Sequence, residues 1–207
     1  KAKSDYFVQE IAGKRKAFYR TLYWDTADAQ MYIIHHDRKL NRQKIRVREY
    51  VESNLTFLEI KNKSNKGRTK KIRISVPDEN IKSHEDAVDF INKSAKYGID
   101  EISGRLRNQF SRITLVNKGK TERLTIDISI KFENCVTGNK NTIPALCIVE
   151  VKRDGNVYSP FTSYMADFRI KKKSISKYCL GMILTDPGLK KNRFKMKLQK
   201  KEKMLSK

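Results

Sequence analysis

The sequence has no run of about 18 apolar residues, so no segment is long enough to cross a membrane as a helix. It shows no signal peptide, although it begins at Lys1 rather than Met, as a fragment would. Its three cysteines, Cys135, Cys147 and Cys179, are far apart, odd in number and without C-x-x-C spacing. That argues against a disulfide framework or a zinc site and predicts reduced thiols in a cytoplasmic protein. Neither G-x-x-x-x-G-K-S/T nor G-x-G-x-x-G occurs, so there is no glycine-rich phosphate loop. No Ser-His-Asp or Cys-His arrangement can be argued. Adjacent His35 and His36 would face opposite ways on a strand and have no evident third ligand, so they read as structural. There is no internal repeat and no long linker, and residues 1–207 read as a single domain.

Negative charge is also scarce. Asp and Glu number 23 against 46 Lys and Arg, a net charge of +23. Such a balance opposes compaction and attracts polyanions: nucleic acid, an acidic membrane surface or inorganic polyphosphate. At 38% hydrophobic the chain can still bury a core. A solvated basic surface accounts for the Lys-rich segment from Lys190 to Lys207, which reads as a basic helix. It does not account for the strand-like segments. Arg42, Lys44, Arg46 and Arg48 occupy every second position, and Glu59 and Lys61 alternate with Leu58 and Ile60. Lys71 and Arg73, then Arg123 and Asp127, then Glu150 and Lys152 repeat the pattern among Ile, Val and Leu. Alternate side chains of a strand face opposite ways, so each segment has one aliphatic and one charged face.

The periodicity predicts strands at 5–10 and 17–24 joined by a turn at Gly13, with Tyr19 and Tyr23 among the core candidates. Asp25-Thr26 would cap a short helix through Ile33. Residues 42–51, 56–63 and 68–76 form a three-strand meander, stopped by Pro77. Ser83 would open a capping box for a helix carrying Ala87, Val88, Ile91 and Ala95, with Gly98 at its C-terminus. A helical turn is expected over 101–108. Strands follow at 110–116, 123–132 and 146–153, and helices at 160–167 and 175–183. The fold class is α+β. A flat sheet would leave its charged face in water. A closed antiparallel barrel would turn the charges inward and the aliphatic face outward, under helices. Such an interior must be wet and is best occupied by a polyanion.

Several segments together resemble a known family. They are Tyr23-Trp24-Asp25-Thr26, Met31-Tyr32, His35-His36, Arg42 to Tyr50, Phe57 to Lys63, Asn65 to Lys71, and Ser176-Lys177-Tyr178. In order and spacing they are similar to the VTC domain, the catalytic domain of polyphosphate polymerases, in its bacterial form. That family belongs to the triphosphate tunnel metalloenzyme, or CYTH-like, superfamily, whose β-barrel is lined by basic residues. The family normally has a further basic strand before the position of Asp5, which is missing here. The resemblance implies phosphate contacts from Arg46, Arg48, Lys61, Lys71, Arg73, Arg112, Arg123, Lys152 and Lys177. Arg42 and Lys44 would lie nearer a tunnel mouth, Lys172 and Lys173 are weaker candidates, and Lys70 faces away by parity. Glu150 resembles the ligand of a Mn²⁺ or Mg²⁺ ion. Glu59 and Asp127 could either bind metal or orient an arginine.

The implied activity is transfer of the γ-phosphate of ATP to a polyphosphate chain. The alternatives are a metal-dependent hydrolase of triphosphate or nucleoside triphosphate, and a polyphosphate-binding module without catalysis. Nucleic acid ranks below polyphosphate, because the aromatics sit in apolar patterns rather than as exposed stacking platforms. A membrane partner outside this chain is a further expectation.

Overall fold

The computed structural model describes residues 2–153, 155 and 157–194. A nine-stranded antiparallel sheet dominates them. After a short helical turn, α1 (Ala2–Asp5), the chain runs through β1 (Tyr6–Val8), β2 (Ala17–Thr26) and α2 (Gln30–His36). The meander β3 (Arg42–Tyr50), β4 (Leu55–Lys63) and β5 (Thr69–Ser75) precedes α3 (Glu85–Ser94). Then come the long hairpin β6 (Ile102–Asn117) and β7 (Glu122–Asn134), short β8 (Lys140–Ile143) and β9 (Ile148–Arg153). Helices α4 (Pro160–Asp167) and α5 (Lys177–Thr185) follow. The sheet order is β5-β4-β3-β2-β6-β7, with β8 and β9 both on β7 and β1 on β6. No helix among the described residues is long and apolar enough to cross a membrane.

The register sorts the side chains as alternation demands. Ile45, Val47, Leu58 and Ile60 share one face with Leu22 and Trp24. That face is covered by Ala87 and Ile91 of α3, four residues apart on one helical stripe, and by Ile81, Ile99 and Ile102. Glu85 and Asp86 in the first turn of α3 suit the positive end of its dipole. The opposite face carries the cations, and the sheet curls around it. Lys61 on β4 senses the charges of Glu150 and Lys152 on β9, although four strands separate β4 from β9. The edge strands β5 and β9 are not hydrogen-bonded to each other. The barrel is therefore a curled sheet with a seam.

One half of the concave face holds a second core. There α5 packs Tyr178, Cys179, Met182 and Ile183 against Leu106, Phe110, Ile130, Phe132 and Ile143. This approach needs glycine at 181, because a Cβ there would lie 2.5 Å from both Leu106 Cδ2 and Phe132 Cδ1. Gly181→Ala is expected to cost about 1–3 kcal/mol through overpacking, measured as a lower urea midpoint at unchanged m.

Several local expectations are corrected. β1 spans Tyr6–Val8 and pairs with β6 rather than β2, while Ile11 and Lys14 make only an isolated bridge. α2 begins at Gln30, yet Asp25 still caps it from the end of β2, accepting from the Met31 and Tyr32 N–H groups at 2.9 Å. The residue before α3 is His84, and Ser83 sits in a preceding short turn without a capping bond. α3 ends at Ser94, so Gly98 instead precedes the turn Ile99–Glu101. Residues 102–108 are strand, not helical turn, because they pair with β2 across a bulge opposite Tyr23 and Trp24. The basic helix expected over 190–207 is a short turn at Asn192–Phe194, and its remainder lies outside the described residues.

Candidate active site

Cross-strand neighbours set the basic face in rows. Lys44, Lys61 and Lys71 form one row across β3, β4 and β5, and Arg46, Glu59 and Arg73 the next. Arg48, Phe57 and Ser75 form a third. On the other wall Arg112 faces Asp127 across β6 and β7, while Thr125 faces Glu150 and Arg123 faces Lys152 across β7 and β9. Helix α5 joins the two walls at its N-terminus. Lys177 donates to Asp127, and Lys44 Nζ donates to Ser176 Oγ at 2.9 Å. The nine predicted phosphate-contacting cations thus lie on the strand positions of this face or on the helix above it.

Two buried carboxylates organise the cations. Glu59, only 1% exposed, accepts from Arg46 Nε at 2.6 Å and pairs with Lys71. Burial pushes its carboxyl up, but Arg46 and Lys71 more than reverse this and hold it at about 2. Asp127 accepts both arms of Arg112, Nε at 2.6 Å and Nη2 at 2.8 Å, as well as the Lys177 ammonium. Its carboxyl is likewise held low against burial by those two cations. Aromatic rings set the remaining orientations. Arg48 and Arg112 lie over Tyr19 and Phe110 at 5.1–5.8 Å, and Arg73 lies 4.3 Å from the Phe57 centroid. Excess positive charge persists: burial and neighbouring Arg46 both push the Lys61 ammonium down. The face is thus preorganised yet electrostatically unsatisfied, which is the state that favours a bound polyanion.

The depressed carboxyl of Glu59 gives stability a pH signature. A group held at about 2 in the fold and near 4.5 when unfolded stabilises fully above about 4.5 and loses that contribution as pH falls toward 2. Acid unfolding should therefore steepen between these values, and Glu59→Gln should flatten the curve there. An identical acid profile for that variant in circular dichroism would refute the assignment.

Tyr23, a core candidate by sequence, is the residue the pattern concealed. It lies directly opposite Arg46, stacks on Tyr178 at 5.0 Å and is surrounded by Arg46, Arg48, Lys177 and Lys44. Burial pushes its phenol up, but those four cations outweigh burial and leave it more acidic than usual. The usable signal was register: once β2 pairs with β3, Tyr23 must share the face of Arg46. Other candidates fall elsewhere. Lys70 is on the opposite face, beside Asn62. Lys172 and Lys173 are exposed on the connection between α4 and α5. His35 and His36 sit on α2 rather than a strand, with His36 packed beside Tyr32 and Phe194.

For a divalent metal the carboxylates are unequal. No group of three His, Cys, Asp or Glu converges among the described residues. Glu59 and Asp127 each engage two cations. Glu150 is 55% exposed, with Lys152 at 3.6 Å, and its register neighbour Thr125 has a buried hydroxyl without a partner among the described residues. This donor set fits an ion that brings most of its oxygens with a phosphate chain and touches the protein at Glu150. It does not fit an ion held by protein ligands alone.

A curled antiparallel sheet with a basic concave face is the architecture expected from the charge alternation of the strands. More particularly, residues 2–185 match the profile of the VTC domain, and the chain belongs to that family. Among solved structures, a candidate adenylyl cyclase from Hippeastrum, described as having a dominant triphosphatase activity, shares the fold. Its TM-score is 0.50 at 14% identity, covering 83% of this chain and 84% of that one. A candidate adenylate cyclase from Vibrio parahaemolyticus has a TM-score of 0.45 at 9% identity, over 84% of each chain. No curated protein matches the sequence.

Proposed function

We propose that this tunnel binds inorganic polyphosphate and transfers the γ-phosphate of ATP to it. The observation that carries the reading is the convergence of cations from β3, β5, β6 and α5 on one face whose buried carboxylates, Glu59 and Asp127, are each already engaged by two of them. Phosphoryl transfer needs alignment and charge neutralisation more than a protein nucleophile. A terminal oxygen of the chain attacks the γ-phosphorus, the bond to the β,γ-bridging oxygen breaks, and ADP leaves with that oxygen. Arg46, Arg48, Lys61 and Lys71 hold the phosphates on one wall, with Arg73 over Phe57. Arg112, Arg123, Lys152 and Lys177 hold them on the other. A Mn²⁺ or Mg²⁺ ion at Glu150 would supply further neutralisation of the phosphate oxygens.

The second reading is hydrolysis, with water as the attacking group. The triphosphatase activity described for the Hippeastrum protein supports it. Gel separation of products after incubation with ATP and Mn²⁺ decides between them. Transfer gives a ladder of long chains. A mixture of ADP and free phosphate, with nothing longer than triphosphate, overturns transfer in favour of hydrolysis.

A further inference from the structure

The tunnel does not account for every cluster of unneutralised charge. A cleft of about 460 Å³ wraps around the ends of β3 and β4. Arg42 and Lys63, a cross-strand pair on the tunnel side by parity, line it together with Gln43 and Asn62 from the opposite side. It therefore begins at a tunnel mouth and continues onto the outer face. There Arg68, just before β5, Lys70, near its start, and Lys96, after α3, complete it. Five cations line the cleft and no Asp or Glu does. Among the described residues none of the five forms an ion pair; Arg42 instead donates to the Lys39 carbonyl at 2.9 Å. The amides are used internally: Gln43 donates to Asn62 at 2.7 Å and accepts from the Lys96 N–H at 3.0 Å. The pocket's charged groups are thus all cationic, and Met31, Ile34 and Tyr97 supply apolar surface for long Lys and Arg stems.

We propose that this cleft is a second polyanion site, which takes the stretch of an inorganic polyphosphate chain that projects beyond the tunnel mouth at Arg42 and Lys63. The inference rests on the polyphosphate reading above and extends it from the tunnel to the outer surface. It gives Lys70, turned away from the tunnel by strand parity, a partner. It also makes the site sensitive to chain length: tripolyphosphate, held within the tunnel, cannot reach it, whereas a long chain must pass over it. Repulsion among five uncompensated cations is relieved by such a chain, and each phosphate bound releases counterions.

The test compares long-chain polyphosphate with tripolyphosphate by calorimetry, in the wild type and in the triple variant Arg68→Ala, Lys70→Ala, Lys96→Ala. All three residues are exposed, so the fold should tolerate their loss. The wild type should prefer the long chain. In the variant the ratio of the two affinities should fall about tenfold, as expected when three exposed contacts of about 0.5 kcal/mol each are lost. The salt dependence of long-chain binding should become shallower by about one in log–log slope per cation removed. A wild type without length preference, or a variant that keeps the wild-type ratio and slope, overturns the cleft. Arg46→Ala separates the two inferences: loss of tripolyphosphate binding upholds the tunnel whatever the cleft does. An unchanged tripolyphosphate affinity would strike the tunnel reading, and the cleft with it.

Discussion

Arg46→Ala is expected to lower turnover by about two to three orders of magnitude, the range seen when a preorganised donor to developing charge is removed. Arg46 stands at the centre of the face. Its guanidinium is held by Glu59 through Nε at 2.6 Å and Nη2 at 2.5 Å, yet its side chain remains 23% exposed. One edge is therefore fixed by the protein while another stays available to a phosphate oxygen. Because Lys71 still neutralises Glu59, removing Arg46 does not strand a buried carboxylate, and the loss should fall on activity more than on stability. Arg46→Lys restores charge but not the planar fork and should recover only part of the rate. Wild-type turnover in Arg46→Ala, measured as ADP release under saturating ATP, would remove Arg46 from the machinery.

The other large effect is on stability. Among the described residues Asp127 is the carboxylate that pairs with both Arg112 and Lys177, so Asp127→Asn leaves two cations facing each other over the Phe110 ring. Removing one partner from a buried ion pair costs 3–5 kcal/mol, but these two cations are each 14% exposed and partly hydrated. A loss of about 2–3 kcal/mol is expected in denaturant titration without ligand. Added tripolyphosphate should return much of it, since an anion that binds only the folded state stabilises by mass action. A change below about 0.5 kcal/mol would show that Asp127 does not hold α5 to β6 and β7.

How much of this was legible in the sequence follows from how local each signal is. The meander β3-β4-β5 and its charged face could be read directly, because cations alternate strictly with Ile, Val and Leu and short turns fix the register. The α+β class followed from the same alternation, whereas the candidate phosphate contacts, Arg112 and the helical Lys177 among them, came from the resemblance to the VTC domain. The first half of β6 was not legible. Ser103, Gly104 and Arg105 offer no alternating apolar face, and that strand exists because β2 pairs with it across a bulge. β8 is four residues long and depends on β7 for its hydrogen bonds. Tyr23 was hidden by chemistry rather than geometry: its ring belongs in a core and its hydroxyl belongs among charges, and only the partner strand reveals which end matters. That α5 fills half of the concave face was also out of reach, since it depends on glycine at 181 meeting two residues distant in sequence.

The unpaired margin between β5 and β9 has a consequence for how a polymer is loaded. A ring stitched all the way round by hydrogen bonds admits a strand only by its tip, as thread enters a needle. A cuff with an unfastened side imposes no such condition. If the groove takes polyphosphate as proposed, a linear chain blocked at both ends, or a cyclic one, would be gripped broadside at mid-length, so occupancy of the groove and possession of a free terminus would become separable properties of the ligand.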